Sequence, residues 1–356
     1  MASVFGNKIK VSVFGQSHSE AIGAVIDGLP AGFRPDLDGV GRFLARRSPV
    51  GKDGVTARRE PDSFEIVSGL FEGACCGAPL CAIIRNTDAR PGDYEQMRRT
   101  PRPSHADYTA HVKYGGFEDW RGGGHFSGRL TAPLCFAGAL AVQLLAESGV
   151  NVCARVKSIG NAYDTYIDPA KVDAATLAAI RAGDFPTLGD GAKMKKEIAD
   201  AAANADSVGG QVECFVLGLP VGIGEPMFDG IESRVAAAVF AVPAVKGVEF
   251  GEGFALTGLR ASEANDPFEL APDGSVRTST NSNGGALGGI TTGMPLCFTA
   301  AFKPTPTVAR PQRTVDLESG EEATVTFGGR HDPCVVVRAV PCVESAAALA
   351  ILDLML

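Results

Sequence analysis

Apolar and polar residues alternate over Ile9 to Val13 (IKVSV), a period of two that predicts a strand, and the following AIGAVIDGLPAG predicts a second strand running into a turn. From Asp36 to Arg47 the period lengthens. Val40, Phe43 and Leu44 share one side while Arg42 and Arg46, four apart, share another, so the segment is predicted to be a helix. PDSFEIVSGL and APLCAIIRNT predict short strands, as does the apolar run Val335 to Val337. Ala132 to Glu147 is apolar almost throughout and predicts a buried helix; the stretch Ala132 to Ala146 contains Gln143 and is shorter than the roughly 20 residues a bilayer crossing needs. Further helices are predicted near Lys193 to Ala205 and in the C-terminal VESAAALAILDLML. Ser262 to Gly285 and Lys303 to Glu322 show little periodicity and are predicted to be long loops.

The second half echoes the first. Gly28-Leu29-Pro30-Ala31-Gly32 recurs as Gly218-Leu219-Pro220-Val221-Gly222, and Pro35-Asp36-Leu37-Asp38-Gly39-Val40 is matched by Pro226-Met227-Phe228-Asp229-Gly230-Ile231, each ahead of a helical pattern. A strand, turn and helix used twice predicts two pseudo-equivalent halves, roughly 1–150 and 205–356, within a single domain spanning 1–356.

Charge narrows the function. The net charge of −8 argues against a general nucleic-acid binder, but residues 1–130 carry 17 Lys/Arg against 15 Asp/Glu while residues 131–356 carry 16 against 26. Arg42, Arg46, Arg47, Lys52, Arg58, Arg59, Arg98, Arg99 and Arg102 are therefore candidates to surround a small polyanion, or to form a solvated basic surface. Nine cysteines show no C-x-x-C pair, most sit in apolar runs, and the N-terminal MASVFGNKIKVSVFG lacks the apolar core of a signal peptide, which together suggest a reducing cytoplasm and no membrane.

Four of the five histidines, His18, His105, His125 and His331, lie in short polar, glycine-bearing segments, where imidazoles are free to move protons or hold anions. RGGGHFSGR runs into the apolar helix, a setting that suits a phosphate or an electron-rich ring and equally a tight structural turn. It departs from G-x-G-x-x-G at Ser127, so a dinucleotide site is unsupported. NGGALGGI and KPTPT can lie against a flat ligand or simply form bulges. Arg330, His331 and Asp332 place a cation, an imidazole and a carboxylate together, with a salt-bridged strand end as the plainer reading. No histidine spacing suggests a metal.

In order along the chain, FGQSHSEAIGAVIDGLPAG, ARRSPVGKDG, ARREPD, SGLFEGACCGAPL, RNTDARPGDY, PRPSHADYT, RGGGHFSGRLTAP, PAVKGVEFGEGF, NGGALGGITTG, KPTPT and GGRHDPCVVVRAVP resemble the chorismate synthases over essentially the whole chain. The resemblance implies an α+β fold, a β-α-β sandwich with helices between two antiparallel sheets. It implies a lyase that eliminates phosphate from 5-enolpyruvylshikimate-3-phosphate with reduced FMN, the last common step of aromatic amino-acid biosynthesis. It also implies a homotetramer, and it leaves open whether the chain reduces its own flavin with NADPH; because no nicotinamide fingerprint is present, a separate flavin reductase is expected as the source of reduced FMN.

By the same resemblance His18 protonates the leaving phosphate, His105 acts at the flavin pyrimidine edge and Asp332 assists proton removal through flavin N5. Arg47 and Arg129 bind substrate. Flavin contacts fall on His125, Phe126, Ser127, Pro243, Ala244, Gly288, Lys303, Pro304, Thr305, Pro306, Thr307 and Arg330. The chain departs from the commoner family pattern at Gln16, Ser19, Asp53, Ser104 and His125, which alters the cations expected around the ligands, with Lys52 as a candidate substitute. A non-catalytic flavin- or phosphate-binding relative would lose the proton-transfer set that is present here, and a flavin oxidoreductase would need a hydride partner site.

Overall fold

The alternating N-terminal stretch forms the strand Lys10–Gly15, paired antiparallel with Ala21–Asp27 so that Val11 faces Ile26 and Val13 faces Ala24. Ile22, Ala24 and Ile26 are buried, as a period of two requires of a sheet with one covered face. The computed structural model describes residues 3–48, 62–87, 98–327 and 332–356. Lys52, Asp53, Arg58, Arg59, Arg330 and His331 lie outside the described residues.

Strand order in the first sheet is Val4–Phe5, Lys10–Gly15, Ala21–Asp27, Leu80–Arg85, Phe64–Ser68, and every pairing is antiparallel. A second antiparallel sheet runs Val245–Phe250, Leu296–Phe302, Gly210–Leu217, Asn151–Ile159, Ala162–Tyr163. The helices Leu37–Arg47, Thr131–Glu147, Ile231–Phe240 and Val336–Met355 pack on one another between them. Thr131–Glu147 covers the first sheet and Val336–Met355 the second. The architecture is the helix-filled sandwich of two antiparallel sheets that the resemblance implied.

Two buried carboxylates on the C-terminal helix tie the layers together. A buried charge is tolerated only with partners. Glu344 accepts a fork from Arg46, at 2.5 and 2.9 Å, and the Ala154 N–H at 2.8 Å, joining two helices to the second sheet. Asp353 accepts the N–H groups of Asn7, Lys8 and Ile9 and an Arg234 guanidinium, joining the N-terminal loop to the Ile231–Phe240 helix.

Local reasons for the elements are legible. Asp36 caps the Leu37–Arg47 helix by accepting the Gly39 N–H at 2.8 Å, and Arg46 and Arg47 in the last turn complement its dipole. Gly28 and Gly218, which each end a strand, have φ of 91° and 80°, and a Cβ on either would fall about 2 Å from a backbone carbonyl oxygen. Only glycine fits such a turn.

Three expectations differ from what is observed. Val335 to Val337 is not a strand but the start of the Val336–Met355 helix, which is buried at Val336 and at every position from Ala339 to Asp353. Three β-branched residues in isolation carry no helical period. Ser262 to Gly285 is not bare loop: it carries the end of the helical turn Ala261–Ala264 and the hairpin Phe268–Leu270 with Val276–Thr278, joined through PDGS. Lys303 to Glu322 likewise contains Gln312–Val315, paired with Glu322–Val325.

Candidate active site

Three consecutive glycines, Gly122, Gly123 and Gly124, turn the chain with φ of 60°, 82° and 54° just before the Thr131–Glu147 helix. Their neighbours explain them. A Cβ on Gly122 would lie 2.4 Å from His18 Cε1, and one on Gly123 would lie 2.8 Å from His105 Cε1. Gly122 and Gly123 thus make room for the protein's own imidazoles, in a segment whose sequence left a ligand contact and a tight structural turn both open.

A cavity of about 550 Å³ opens at this turn. His105, His125, Phe126, Ser127, Arg129, Arg47, Asp332, Pro243, Ala244, Lys303, Thr305, Pro306 and Thr307 are among the residues that line it. These thirteen predicted residues meet in one place although they come from six segments of the chain. His18 is buried behind Gly122 and is not itself on the lining. Pro304 is likewise off the lining. Gly288 sits on an exposed turn whose neighbour, Gly289, accepts the Ile231 N–H at 2.8 Å, so that glycine run supports a helix start and does not border this cavity.

Six cations line the cavity, Arg47, Arg102, Arg129, Lys246, Lys303 and Arg338, against Asp332 as the one lining carboxylate among the described residues. Two carboxylates, the buried Asp62 and the half-buried Asp107, stand behind them. Asp62 accepts from Arg47 Nε at 2.9 Å, with Nη2 in ion-pair contact at 2.7 Å, and is also paired with Arg129. The two guanidiniums hold its carboxyl below the usual range against the opposing effect of burial. Arg47 also donates to Thr131 Oγ1 at 3.0 Å, and Arg129 to Asn86 Oδ1 at 3.0 Å.

Asp107 opens the Asp107–Tyr114 helix and is forked by Arg102, Nε to Oδ2 at 2.7 Å and Nη2 to Oδ1 at 2.8 Å. Its Oδ1 lies 2.5 Å from His105 Nδ1. Burial lowers the His105 pKa; the hydrogen bond to Asp107 works against that and the charge of Arg102 with it, and the net direction is down from 6.5. Lys303, which donates to Ser104 O at 2.5 Å, is also lowered, by burial and then by Lys246.

Asp332 pairs with Arg338, Nη1 to Oδ2 at 2.5 Å, and Arg338 Nε donates to the Arg47 carbonyl at 2.9 Å, while the neighbouring Arg330 lies outside the described residues. Once Val336 begins a helix, residue 338 falls in its first turn and faces back over the preceding loop. His125 is fixed by Gly15 O at 2.7 Å and Ser3 Oγ at 2.8 Å. Ser19 closes the turn that carries His18, accepting the Gln16 N–H at 2.9 Å and donating to Ala21 O at 2.7 Å. Of the arginines grouped by sequence, Arg42, Arg46 and Arg99 pair with Asp36, Glu344 and Asp316. Only Arg47 and Arg102 of that group reach this cavity among the described residues.

Sequence reasoning passed over Asp62, Asp107, Lys246 and Arg338. All four lie in the quoted segments ARREPD, PRPSHADYT, PAVKGVEFGEGF and GGRHDPCVVVRAVP. The signal for Asp107 was its two-residue spacing from His105; the others have none until the fold brings them in.

Residues 9–356 match the family model described as chorismate synthase. The chain is 46% identical over 352 residues to the chorismate synthase of Korarchaeum cryptofilum, covering 98% of this chain and 96% of the relative. It is 46% identical over 348 residues to that of Thermococcus kodakarensis, with the same coverage of each chain, and 43% identical over 356 residues to that of Dehalococcoides mccartyi, covering 100% and 97%. A crystal structure of a chorismate synthase superposes with a TM-score of 0.77 at 24% identity, covering 99% of this chain and 92% of that one, a likeness of fold.

Proposed function

We propose that this chain, which belongs to the chorismate synthase family, converts 5-enolpyruvylshikimate-3-phosphate to chorismate in the cavity beside the triglycine turn, by anti-1,4-elimination of phosphate with reduced FMN bound. The observation that carries this is a cavity with six lining cations, His105 and Asp332 on its walls, and His18 one glycine behind. A substrate with a phosphate and two carboxylates needs such an excess of positive charge, and guanidinium forks match those groups.

The residues present fit the flavin. Thr305 Oγ1 is buried on the cavity lining with no hydrogen-bond partner among the described residues, a donor and acceptor able to meet a ligand. Beside it are the flat apolar Pro243 and Ala244 and the cation Lys303. Ala244 has φ 74° and Ser104 φ 59°, so two non-glycine residues bordering the cavity hold left-handed backbone, the kind of strain that collects at functional sites. Reduced FMN, when bound, supplies an electron-rich ring that must be reduced although the reaction has no net redox change.

The protein's own groups do the rest. Arg47 and Arg129, fixed by Asp62, hold the substrate anions and stabilise the charge that grows on the departing phosphate. His18 gives that phosphate its proton. His105 presents Nε2 toward the ring edge, and Asp332, steadied by Arg338, takes up the proton lost from carbon. In this reading the chain is a single cytoplasmic domain of two pseudo-equivalent halves, assembles as a homotetramer, and receives reduced FMN from a separate reductase.

The test is an anaerobic assay with the enolpyruvyl substrate and dithionite-reduced FMN, following chorismate absorbance and phosphate release. Stoichiometric release of both is expected. Release of neither by folded protein at saturating flavin would overturn the reading, and equal chorismate formation from oxidised FMN and NADPH alone would overturn the external reductase.

A further inference from the structure

Two thiols meet where one of them borders the cavity, and the reaction above uses neither. Cys135, on the Thr131–Glu147 helix, and Cys342, on the Val336–Met355 helix, have their sulfurs 3.7 Å apart. The two helices are unusually close at this level. One turn further along each, a Cβ on Gly138 would lie 2.4 Å from Ser345 Cα, a contact only glycine permits. Close backbones with facing thiols are what a disulfide needs, since its Cα atoms are usually about 4.4–6.8 Å apart.

The two sulfurs are not equivalent. Cys342 borders the cavity; Cys135 lies wholly behind it. The hydrogen bond with Cys135 and the charges of Arg47 and Arg338 outweigh burial and draw the Cys342 thiol below its usual value. Burial pushes Cys135 well above it. The attacking sulfur of such a pair is the more acidic one with access to the oxidant, and Cys342 is both the more acidic of the two and the one on the cavity lining.

We propose that Cys342 and Cys135 are an oxidisable thiol pair beneath the active-site cavity, in which Cys342 reacts with a hydroperoxide entering through the cavity and Cys135 closes a disulfide that stops turnover. In the first step the Cys342 thiolate attacks one peroxide oxygen: an S–O bond forms, the O–O bond breaks, and the leaving hydroxide takes a proton to become water. In the second, Cys135 sulfur attacks the Cys342 sulfenic sulfur. The S–S bond forms and the hydroxyl departs with the Cys135 proton as a second water, so two thiols and one hydrogen peroxide give one disulfide and two waters. The new bond draws together the helix starts that carry Thr131 and Arg338, the residues that hold Arg47 in place. A ligand in the cavity blocks the approach.

Full-length protein is treated with hydrogen peroxide and its unreduced peptides are analysed by mass spectrometry. A Cys135–Cys342 crosslink is expected, two mass units lighter than the dithiol, with activity falling at least tenfold and returning on dithiothreitol. Millimolar inorganic phosphate should slow the crosslink severalfold. Cys135→Ala, checked for folding by circular dichroism, should keep its basal activity and stop at a Cys342 sulfenic acid trapped by dimedone. The mass readout separates this proposal from the reading of the reaction, because the crosslink forms whether or not chorismate is made. Absence of the crosslink, with oxidation confined to the exposed Cys76, would overturn the proposal, as would a crosslink that leaves activity unchanged.

Discussion

His105 Nδ1 stands 2.5 Å from Asp107 Oδ1, and that carboxylate oxygen also accepts Arg102 Nη2 at 2.8 Å. Two lone pairs cannot face each other at such a distance, so Nδ1 carries the proton and donates it to Asp107. Arg102 Nη2, 3.0 Å from the same ring nitrogen, is close because both groups share one acceptor. The lone pair of the neutral ring is therefore on Nε2, the atom beside Gly123. An amide at position 107 can donate as well as accept and allows the ring to turn its tautomer over. Asp107→Asn should lower kcat by about 10²–10⁴-fold, the range for losing a positioned acid–base group, with KM moved far less. ¹⁵N shifts of His105 should report Nδ1–H in the parent and a mixed tautomer in the variant. If His105→Ala is inactive while Asp107→Asn turns over normally, the dyad is structural and His105 works alone.

The lowered pKa of His105 fixes the direction of a pH effect. Between its folded value and 6.5 the unfolded chain binds more protons at this site than the folded one, so stability rises with pH across that window and the site penalises folding as acid protonates it. The acid limb of kcat/KM should accordingly fall below pH 6.5. Since Asp107 raises the value, Asp107→Asn should move the limb lower still. An NMR titration of His105 at or above 6.5 in the folded protein would contradict both statements.

Much of this was legible because the chemistry lies on short segments with their own signatures. The helical spacing of Asp36 to Arg47, the turns at Gly28 and Gly218 and the unbroken apolarity of Ala132 to Glu147 are local, and the observed elements follow them. Asp62 and Arg338 were not read as site residues, because their meaning is a contact. Asp62 acquires its role only when Arg47 and Arg129, 15 and 67 positions away, arrive on one carboxylate. Val335 to Val337 misled for the related reason that a three-residue apolar run has no period of its own. Gly288 was carried over from the resemblance, and its turn is built to support the Ile231–Phe240 helix.

Asp62→Asn removes one negative charge from between two buried guanidiniums. Breaking a buried ion pair on one side costs about 3–5 kcal/mol, chiefly for the charge left behind. The expected outcome is a loss of that size in urea unfolding, with the m-value unchanged. The low pKa of Asp62 adds a pH signature: its contribution is present above the unfolded carboxylate pKa and is lost as pH falls through the folded value, so parent and variant should converge in acid. A variant within about 1 kcal/mol of the parent at neutral pH would mean that the arginines find other partners without cost.

Gly122→Ala tests the location of His18. The glycine has φ 60° and its Cβ would fall 2.4 Å from His18 Cε1 and 2.7 Å from Ser17 Oγ, so the imidazole must move. Left-handed backbone alone costs an alanine about 1–2 kcal/mol. Turnover should drop as it does in His18→Ala, by about 10²–10⁴-fold, while Gly128→Ala, where a Cβ would meet nothing, should be far milder. Near-parental turnover in folded Gly122→Ala would remove His18 from the reaction.

Asp332 and Arg338 separate a base from a counter-ion. The carboxylate lies 2.5 Å from Arg338 Nη1, and Arg338 is itself anchored on the Arg47 carbonyl. Burial holds the Arg338 pKa below its usual value against the pull of Asp332, so the guanidinium is sensitive to losing that partner. Asp332→Asn keeps the shape and cannot take a proton. If the carboxylate accepts the proton lost from carbon, kcat should fall by at least about 10²-fold with flavin and substrate affinities within a few fold of the parent. If it only balances Arg338, the variant should instead bind substrate differently and turn over normally at saturation. Arg338→Met completes the comparison: it should disturb the Arg47 loop and raise KM, yet leave a carboxylate able to react. Measured kcat and KM for the two variants therefore diverge in opposite directions under the catalytic reading, and an Asp332→Asn enzyme with parental kcat would end it.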